Sequence, residues 1–206
     1  MRALAWQQFF AEQRERHGKE IFSVPELANA AQTSLHAINT ELGRLAKRGL
    51  ITRYAQGLYG PPQGVEAQIV IESIDSSAYL TGFYALFLKH MVTQVPTEIT
   101  CFTNRRHNRR ADRVTPAGRL DFICVPACIY RKPLGATSAE QAFCDFCWLT
   151  VRAGIEPQSL VTFQNLQRLK RERLRSYLKN YPEKVRQAVA ELAWRPVARD
   201  PAPVCL

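Results

Sequence analysis

The sequence has no apolar run long enough to cross a bilayer. Its apolar stretches at Phe83–Leu88 and Phe122–Tyr130 fall far short of the roughly 20 residues that a spanning helix needs. The start, MRALAWQQFF, is followed by charged residues and has no small-residue cleavage site, so no secretion signal is indicated. We therefore expect a soluble, cytoplasmic protein with no membrane partner. In that compartment cysteines are expected to remain free thiols.

Signatures of common enzymes are also missing. The chain has no glycine-rich phosphate loop, no HExxH motif and no nucleophile elbow. Glu98, Asp112 and Asp121 can be assembled into a metal-dependent nuclease triad, but no lysine motif accompanies them. Asp145, inside the block SAEQAFCD, is better interpreted as a helix-surface or structural hydrogen-bonding carboxylate than as a general base. We expect no catalytic activity and no cofactor; the catalytic alternative would depend on Asp121.

Two cysteine pairs can be interpreted as two halves of a zinc site, and the spacing of the second pair is one that such sites use. They are Cys124-x3-Cys128 and Cys144-x2-Cys147. Cys124 falls in a β-prone run and the second pair in an apolar helical pattern, where a thiol packs as a small hydrophobic group. We expect no metal here. The alternative is a metal- or thiol-responsive regulator whose second domain senses a ligand.

The chain does carry a large excess of positive charge. Its formal net charge is +10 and its pI is about 9.6. Residues 1–64 hold 8 Lys/Arg against 5 Asp/Glu, and residues 65–206 hold 20 against 13. The excess is therefore +3 and +7 in the two parts. A basic protein of this kind indicates a polyanionic partner.

Residues 22–60 contain the signals of two helices followed by a hairpin. Ser23 and Glu26 have capping-box spacing at the start of the first helix. Thr33 or Ser34 can cap the second, and Gly49 can end it. The second helix has an apolar stripe that is expected to face inward, formed by Leu35, Ile38, Leu42 and Leu45.

The hairpin is predicted from Leu50–Tyr54 and Leu58–Gly60, joined by a three-residue turn at Ala55–Gly57. An amphipathic helix over residues 2–17 precedes the pair of helices, with Leu4, Trp6, Phe9 and Phe10 on its buried side. Helix, helix pair and hairpin in this order predict a winged helix-turn-helix over residues 1–62.

The outer face of the second helix then carries base-edge donors and acceptors together with cations for phosphate. Gly43 lies among them and permits a close approach. The alternatives are a merely solvated helix face or a protein-docking module. The predicted DNA contacts, including two on the hairpin, are His36, Asn39, Thr40, Arg44, Lys47, Arg53 and Gln56.

Pro61-Pro62-Gln63-Gly64 marks a domain boundary, because two prolines cannot continue a strand ladder. We predict a second domain over residues 65–206, of mixed α/β type with a small sheet and C-terminal helices. The overall class is α+β. The predicted strands are Glu98–Thr103 and Arg119–Val125, and the predicted helices cover Gly82–Met91, the segment after Thr137, Leu166–Lys179 and Pro182–Trp194.

Five arginines lie between the two predicted strands, with little apolar residue around them. This loop is a candidate second nucleic-acid contact, with a solvated loop as the alternative. A further basic cluster, Arg168–Arg175, is interpreted as a solvated helix face first and as a nucleic-acid or toxin-facing patch second. The loop arginines are Arg105, Arg106, Arg109, Arg110 and Arg113.

The order of these blocks resembles a known family. ELGRLAKRGLITRYAQGLYG, followed by AYLTGFYALFLKHMV, VPTEITCFTNRR, RLDFICVP and TSAEQAFCDFCWL, is similar to the AbiEi-type antitoxins of type IV toxin–antitoxin (abortive infection) systems. The resemblance extends from about Phe22 to the helices after Thr137. It implies an N-terminal winged helix and a C-terminal antitoxin domain.

Such antitoxins are implied to repress their own operon by binding inverted promoter repeats. They are also implied to counteract a nucleotidyltransferase toxin without a stable complex. The resemblance places DNA contacts on the outer face of the second helix and on Arg53. One module reads only a short site, so paired sites or a dimer on the DNA are expected.

Overall fold

A computed structural model describes residues 3–62, 64–107 and 112–194. The fold is α+β, as predicted. None of the described helices is long and apolar enough to cross a membrane. The helices are α1 Ala3–His17, α2 Val24–Ala30, α3 Leu35–Lys47, α4 Ala67–Ile74, α5 Gly82–Leu88, α6 Ala139–Arg152, α7 Pro157–Leu160, α8 Arg171–Leu178 and α9 Glu183–Trp194. The strands are β1 Phe22–Ser23, β2 Thr52–Ala55, β3 Leu58–Gly60, β4 Tyr79–Leu80, β5 Glu98–Thr103, β6 Asp112–Thr115 and β7 Gly118–Cys124.

The chain divides into two compact units, each made of two separate stretches. The first holds Met1–Leu80 and Thr97–Ala136, and the second holds Thr81–Pro96 and Thr137–Leu206. The predicted division between residues 62 and 65 falls inside the first unit and stays a prediction. Residues 3–62 of this unit, called the N-terminal module below, have a hydrophobic cluster of their own.

Helix α1 packs one side into that cluster. Trp6 is fully buried and Phe10 is 3% exposed, whereas Leu4 is 66% exposed. The prediction that Leu4 is buried is therefore wrong. Residues two apart on a helix do not share a face, so the face that buries Trp6 turns Leu4 to solvent.

Helices α2 and α3 begin at the predicted caps. The Glu26 carboxylate accepts a hydrogen bond from the Ser23 backbone N–H at 2.8 Å, and the Ser34 hydroxyl accepts one from the Ala37 N–H at 3.3 Å. Leu35, predicted to face inward, is 54% exposed. It is the first residue of α3, and helical side chains lean towards the N-terminus, so its side chain projects beyond the covered part of the helix.

The hairpin joins β1 in a three-stranded antiparallel sheet of order β1-β3-β2. The predicted three-residue turn is wrong, because Ala55 belongs to β2 and pairs with Leu58. A bulge between Arg53 and Ala55 takes up the extra residue, and the turn is Gln56–Gly57. Strand β1 is too short to show a period in the sequence, and it was not predicted.

The first unit also contains a four-stranded sheet of order β4-β5-β7-β6. Strands β5 and β7 are parallel, and they correspond to the two predicted strands. Strand β6, which pairs antiparallel with β7, lies within the stretch that the sequence indicated as an arginine loop. The loop is therefore shorter than predicted.

The second unit is built around α6, whose residues from Glu140 to Trp148 are all buried. The single helix predicted over Leu166–Lys179 is wrong. A short 3-10 turn, Leu166–Arg168, is separated from α8 by an extended Leu169 that is buried. The Lys170 N–H donates to the buried Glu140 carboxylate at 3.0 Å, so it is not available to continue a helix.

A fully buried carboxyl lies at the middle of α6. Asp145 accepts a hydrogen bond from the Thr81 hydroxyl at 2.5 Å and another from the Tyr181 hydroxyl. Burial raises the pKa of Asp145 to about 7, although the two hydrogen bonds act in the opposite direction. The complete burial of Asp145 among hydroxyl groups fits the structural interpretation, and the helix-surface alternative is wrong.

Gly60 provides a first test of the fold. A Cβ added there would lie 2.5 Å from the Glu20 carbonyl oxygen, so Gly60→Ala should destabilise the protein by about 1–3 kcal/mol, as overpacking does. Gly43→Ala is the matched control, because nothing lies within 4 Å of its added Cβ and alanine favours a helix interior by about 1 kcal/mol. Urea denaturation should rank Gly43→Ala above the wild type and Gly60→Ala below it. The reverse order would contradict the described close approach.

The buried Asp145 makes stability depend on pH. Its carboxyl keeps a proton in the folded state up to about pH 7, whereas in the unfolded state it loses the proton near its ordinary value of 3.8. The free energy of unfolding that Asp145 contributes is therefore fully present below its ordinary pKa. It is lost as the pH rises towards 7, by about 1.4 kcal/mol per pH unit. We expect Asp145→Asn to gain stability relative to the wild type between pH 5 and pH 8 in chemical denaturation. A constant difference between the two proteins would contradict this.

Candidate nucleic-acid interface

One face of α3 carries most of the residues that the sequence assigned to DNA. The buried side of the helix is formed by Ile38, Leu42 and Leu45. The opposite side is polar and basic, and Gly43 lies within it, partly covered. Because one apolar stripe fixes the rotation of the helix, the opposite face is exposed as a set. Its exposed members are His36, Asn39, Thr40, Arg44 and Lys47.

Three carboxylates of the N-terminal module are bound to groups of the protein itself. Glu41 of α3 is partly buried and accepts a hydrogen bond from the Trp6 indole N–H at 2.8 Å. Glu26 binds its own helix start and the Lys19 ammonium. Glu20 is buried and lies 3.5 Å from Arg14. The exposed face of α3 is therefore cationic, since its charged side chains are Arg44 and Lys47.

The hairpin adds the two remaining predicted contacts. Arg53 is exposed on β2, and Gln56 is exposed in the turn. The other side of the hairpin is fixed by Tyr54 and Tyr59, which are buried. The Tyr54 hydroxyl also donates to the Pro61 carbonyl at 2.9 Å. All seven predicted DNA contacts are thus exposed within one module of the fold.

The arginine loop is divided by the structure. Arg105 and Arg106 follow β5 and are exposed, whereas Arg113 lies on β6 and is partly buried. The Arg113 guanidinium carbon lies 5.6 Å from the centre of the Phe122 ring, and its Nη2 lies 3.4 Å from His107 Nδ1. Arg113 therefore packs against the protein. The predicted contacts Arg109 and Arg110 lie outside the described residues.

A buried polar network that the sequence did not reveal holds the start of this loop. Asp75, 4% exposed, accepts hydrogen bonds from the Ser77 hydroxyl at 2.7 Å and the Thr103 hydroxyl at 2.6 Å. His107 Nε2 lies 2.9 Å from the same carboxylate. A guanidinium has no acceptor, so His107 Nδ1 accepts from Arg113 and Nε2 carries the hydrogen that is donated to Asp75.

This network keeps Asp75 ionised. Burial alone would raise its pKa, but the hydrogen bonds from Thr103, Ser77 and His107 outweigh burial and hold the pKa well below its usual range. Asp75 joins the end of α4, the end of β5 and the segment that leads to the arginines. Thr103 and His107 lie 28 and 32 residues after Asp75 in the sequence. No local sequence pattern links residues so far apart, so only the fold shows this network.

The residues suggested for the alternative metal and catalytic sites lie in different environments in the structure. Cys124 and Cys128 are exposed, whereas Cys144 and Cys147 are buried, and burial raises the pKa of both buried thiols. The sheet places Asp112 opposite Asp121, while Glu98 lies 3.2 Å from Arg119. Across residues 3–62, 64–107 and 112–194, no group of three or more His, Cys, Asp or Glu side chains is arranged to hold a metal ion.

Measurements of stability can distinguish the packed Arg113 from the exposed Arg106. Arg113→Ala removes the contact with Phe122 and the hydrogen bond to His107, so it should cost about 1–2 kcal/mol. Arg106→Ala alters an exposed residue and should change stability by less than about 0.5 kcal/mol. Thermal unfolding of the two variants measures the difference. Equal melting temperatures would contradict a packing role for Arg113.

Comparison with known proteins does not assign a family to this geometry. No family model matches the chain, and no curated protein matches it. The features that bear on function are therefore the exposed face of α3, the hairpin beside it and the charge of the chain.

Proposed function

We propose that the chain is a DNA-binding transcriptional repressor that acts through a winged helix at its N-terminus. The observation that carries this proposal is the exposed face of α3, where amide, imidazole and cationic side chains lie together. The nearby carboxylate of Glu41 is bound to Trp6 instead. A duplex presents base edges flanked by phosphates, and this face has groups for both.

The mechanism is occupancy of a promoter. Helix α3 enters the major groove with its N-terminal residues towards the base edges, as recognition helices do. Arg44 and Lys47, in the second half of the helix, bind phosphate oxygens, and Arg53 and Gln56 of the hairpin contact the adjacent backbone. The bound protein then excludes polymerase. Two copies on repeated half-sites give the specificity that one short site lacks.

The resemblance of the sequence to AbiEi-type antitoxins supports a second activity. On that basis we propose that the protein also counteracts a nucleotidyltransferase toxin, without a stable complex, and that the region after residue 65 is needed for it. The positive charge of that region, 20 Lys/Arg against 13 Asp/Glu, favours an anionic partner. The metal- or thiol-responsive regulator is the competing proposal, and near-stoichiometric zinc in the purified protein would favour it.

Arg44→Ala tests the placement of α3 on DNA. Arg44 is exposed, so the variant should fold normally. Loss of one phosphate contact should weaken binding to DNA from upstream of the protein's own reading frame by about tenfold and lower the salt slope by about 0.9. A mobility-shift titration at several salt concentrations measures both values.

Arg16→Ala is the matched control for this experiment. Arg16 is an exposed arginine of α1 in the same module, and its loss should leave affinity and salt slope nearly unchanged. If Arg44→Ala binds as well as Arg16→Ala does, the placement of α3 is wrong. If the wild type binds a scrambled duplex of the same composition equally well, sequence-specific repression is not its function.

A further inference from the structure

The first two turns of α3 expose apolar groups as well as polar ones. Leu35, its first residue, is 54% exposed, and Ala37 is exposed as well. The Thr40 hydroxyl donates to the His36 backbone carbonyl at 3.2 Å, so its hydrogen is used within the helix. What Thr40 adds to the surface is therefore its methyl group and an acceptor oxygen.

The apolar groups of Leu35 and Thr40 lie on the same side of α3 as the Asn39 amide. Leu35 and Asn39 are four residues apart, as are His36 and Thr40, and residues at that spacing lie side by side on a helix. The exposed leucine therefore lies beside the Asn39 amide, whereas the Thr40 methyl group lies beside His36 in the next row of the same surface. An amide with a leucine beside it and a methyl group in the neighbouring row differs from a simple solvated face.

The major groove of DNA presents groups that an amide and apolar side chains can bind. Adenine presents the N7 acceptor and N6 donor that an asparagine amide can bind with two hydrogen bonds, and thymine presents a C5 methyl group. Guanine is read most often by Arg or Lys. On α3 those residues are Arg44 and Lys47, which lie beyond the first two turns.

We propose that α3 reads A·T base pairs, with Asn39 on an adenine and with Leu35 and the Thr40 methyl group on thymine methyls. This inference rests on the proposed function, since it requires that α3 enters the major groove of a duplex. It identifies bases that the DNA site contains. It also gives Leu35, an exposed side chain that cannot make polar contacts, a role in sequence specificity.

The test begins with selection from a pool of random-sequence DNA duplexes. The enriched sequences should share an A·T pair, and replacement of its thymine by deoxyuridine removes only the methyl group. For the wild type this replacement should weaken binding about fourfold, the factor that corresponds to burial of one methyl-sized group. In the Leu35→Ala/Thr40→Ser variant the same replacement should have no further effect.

Leu4→Ala is the matched control, because it shortens an exposed leucine of the same module that lies on α1. It should keep the wild-type sensitivity to deoxyuridine. Far-UV circular dichroism checks that each variant is folded. A variant that loses its methyl sensitivity and keeps its helix content supports a contact rather than a folding effect.

Asn39→Ala tests the adenine contact. Replacement of the A·T pair by G·C should cost the wild type at least about fivefold for the amide contact in addition to the methyl effect, whereas Asn39→Ala should keep only the methyl part, about fourfold. Enriched sequences without a shared A·T pair, or insensitivity to deoxyuridine at every thymine, would overturn this inference while DNA binding stands. If no duplex in the pool is bound, the proposed function itself fails.

Discussion

The hydrogen bond from the Trp6 indole to Glu41 reinforces the rotation of α3 that its buried apolar stripe sets. Trp6 is fully buried in the cluster that also covers Ile38 and Leu42, and its N–H would lack an acceptor in that apolar setting without the carboxylate. The same bond removes the negative charge of α3 from its exposed side. Packing and electrostatics therefore select the same rotation of the helix. That rotation determines which side chains lie on its outer face.

Local signals in the sequence predicted the module well because its elements are defined by short-range chemistry. The caps at Ser23 and Ser34 and the inward residues of α3 are set within a few residues, whereas the predicted three-residue turn at Ala55–Gly57 was wrong because a bulge places Ala55 in β2. The errors at Leu4 and Leu35 concern ends of helices, where a periodic pattern continues beyond the surface that covers it. The exposed set on α3 could be deduced once three inward residues were known.

Longer-range features could not be predicted in the same way. Strands β1 and β4 have two residues each, too few to show a period. The helix expected across Leu169 is interrupted because a distant glutamate, Glu140, takes the Lys170 N–H. Asp75 and Asp145 look alike in the sequence, yet the pKa of the first is lowered by its hydrogen-bond donors and the pKa of the second is raised by burial.

Interleaving of the two compact units has a consequence for how the protein is made. A chain that emerges from the ribosome as far as Pro96 contains the whole N-terminal module and none of the parallel pair β5 and β7. The module can therefore assemble early, from contacts that are short in sequence. The four-stranded sheet must wait for residues 97–136, and the second unit must wait longer still. A cut after residue 62 would keep both stretches of the second unit in one piece but would divide the first unit.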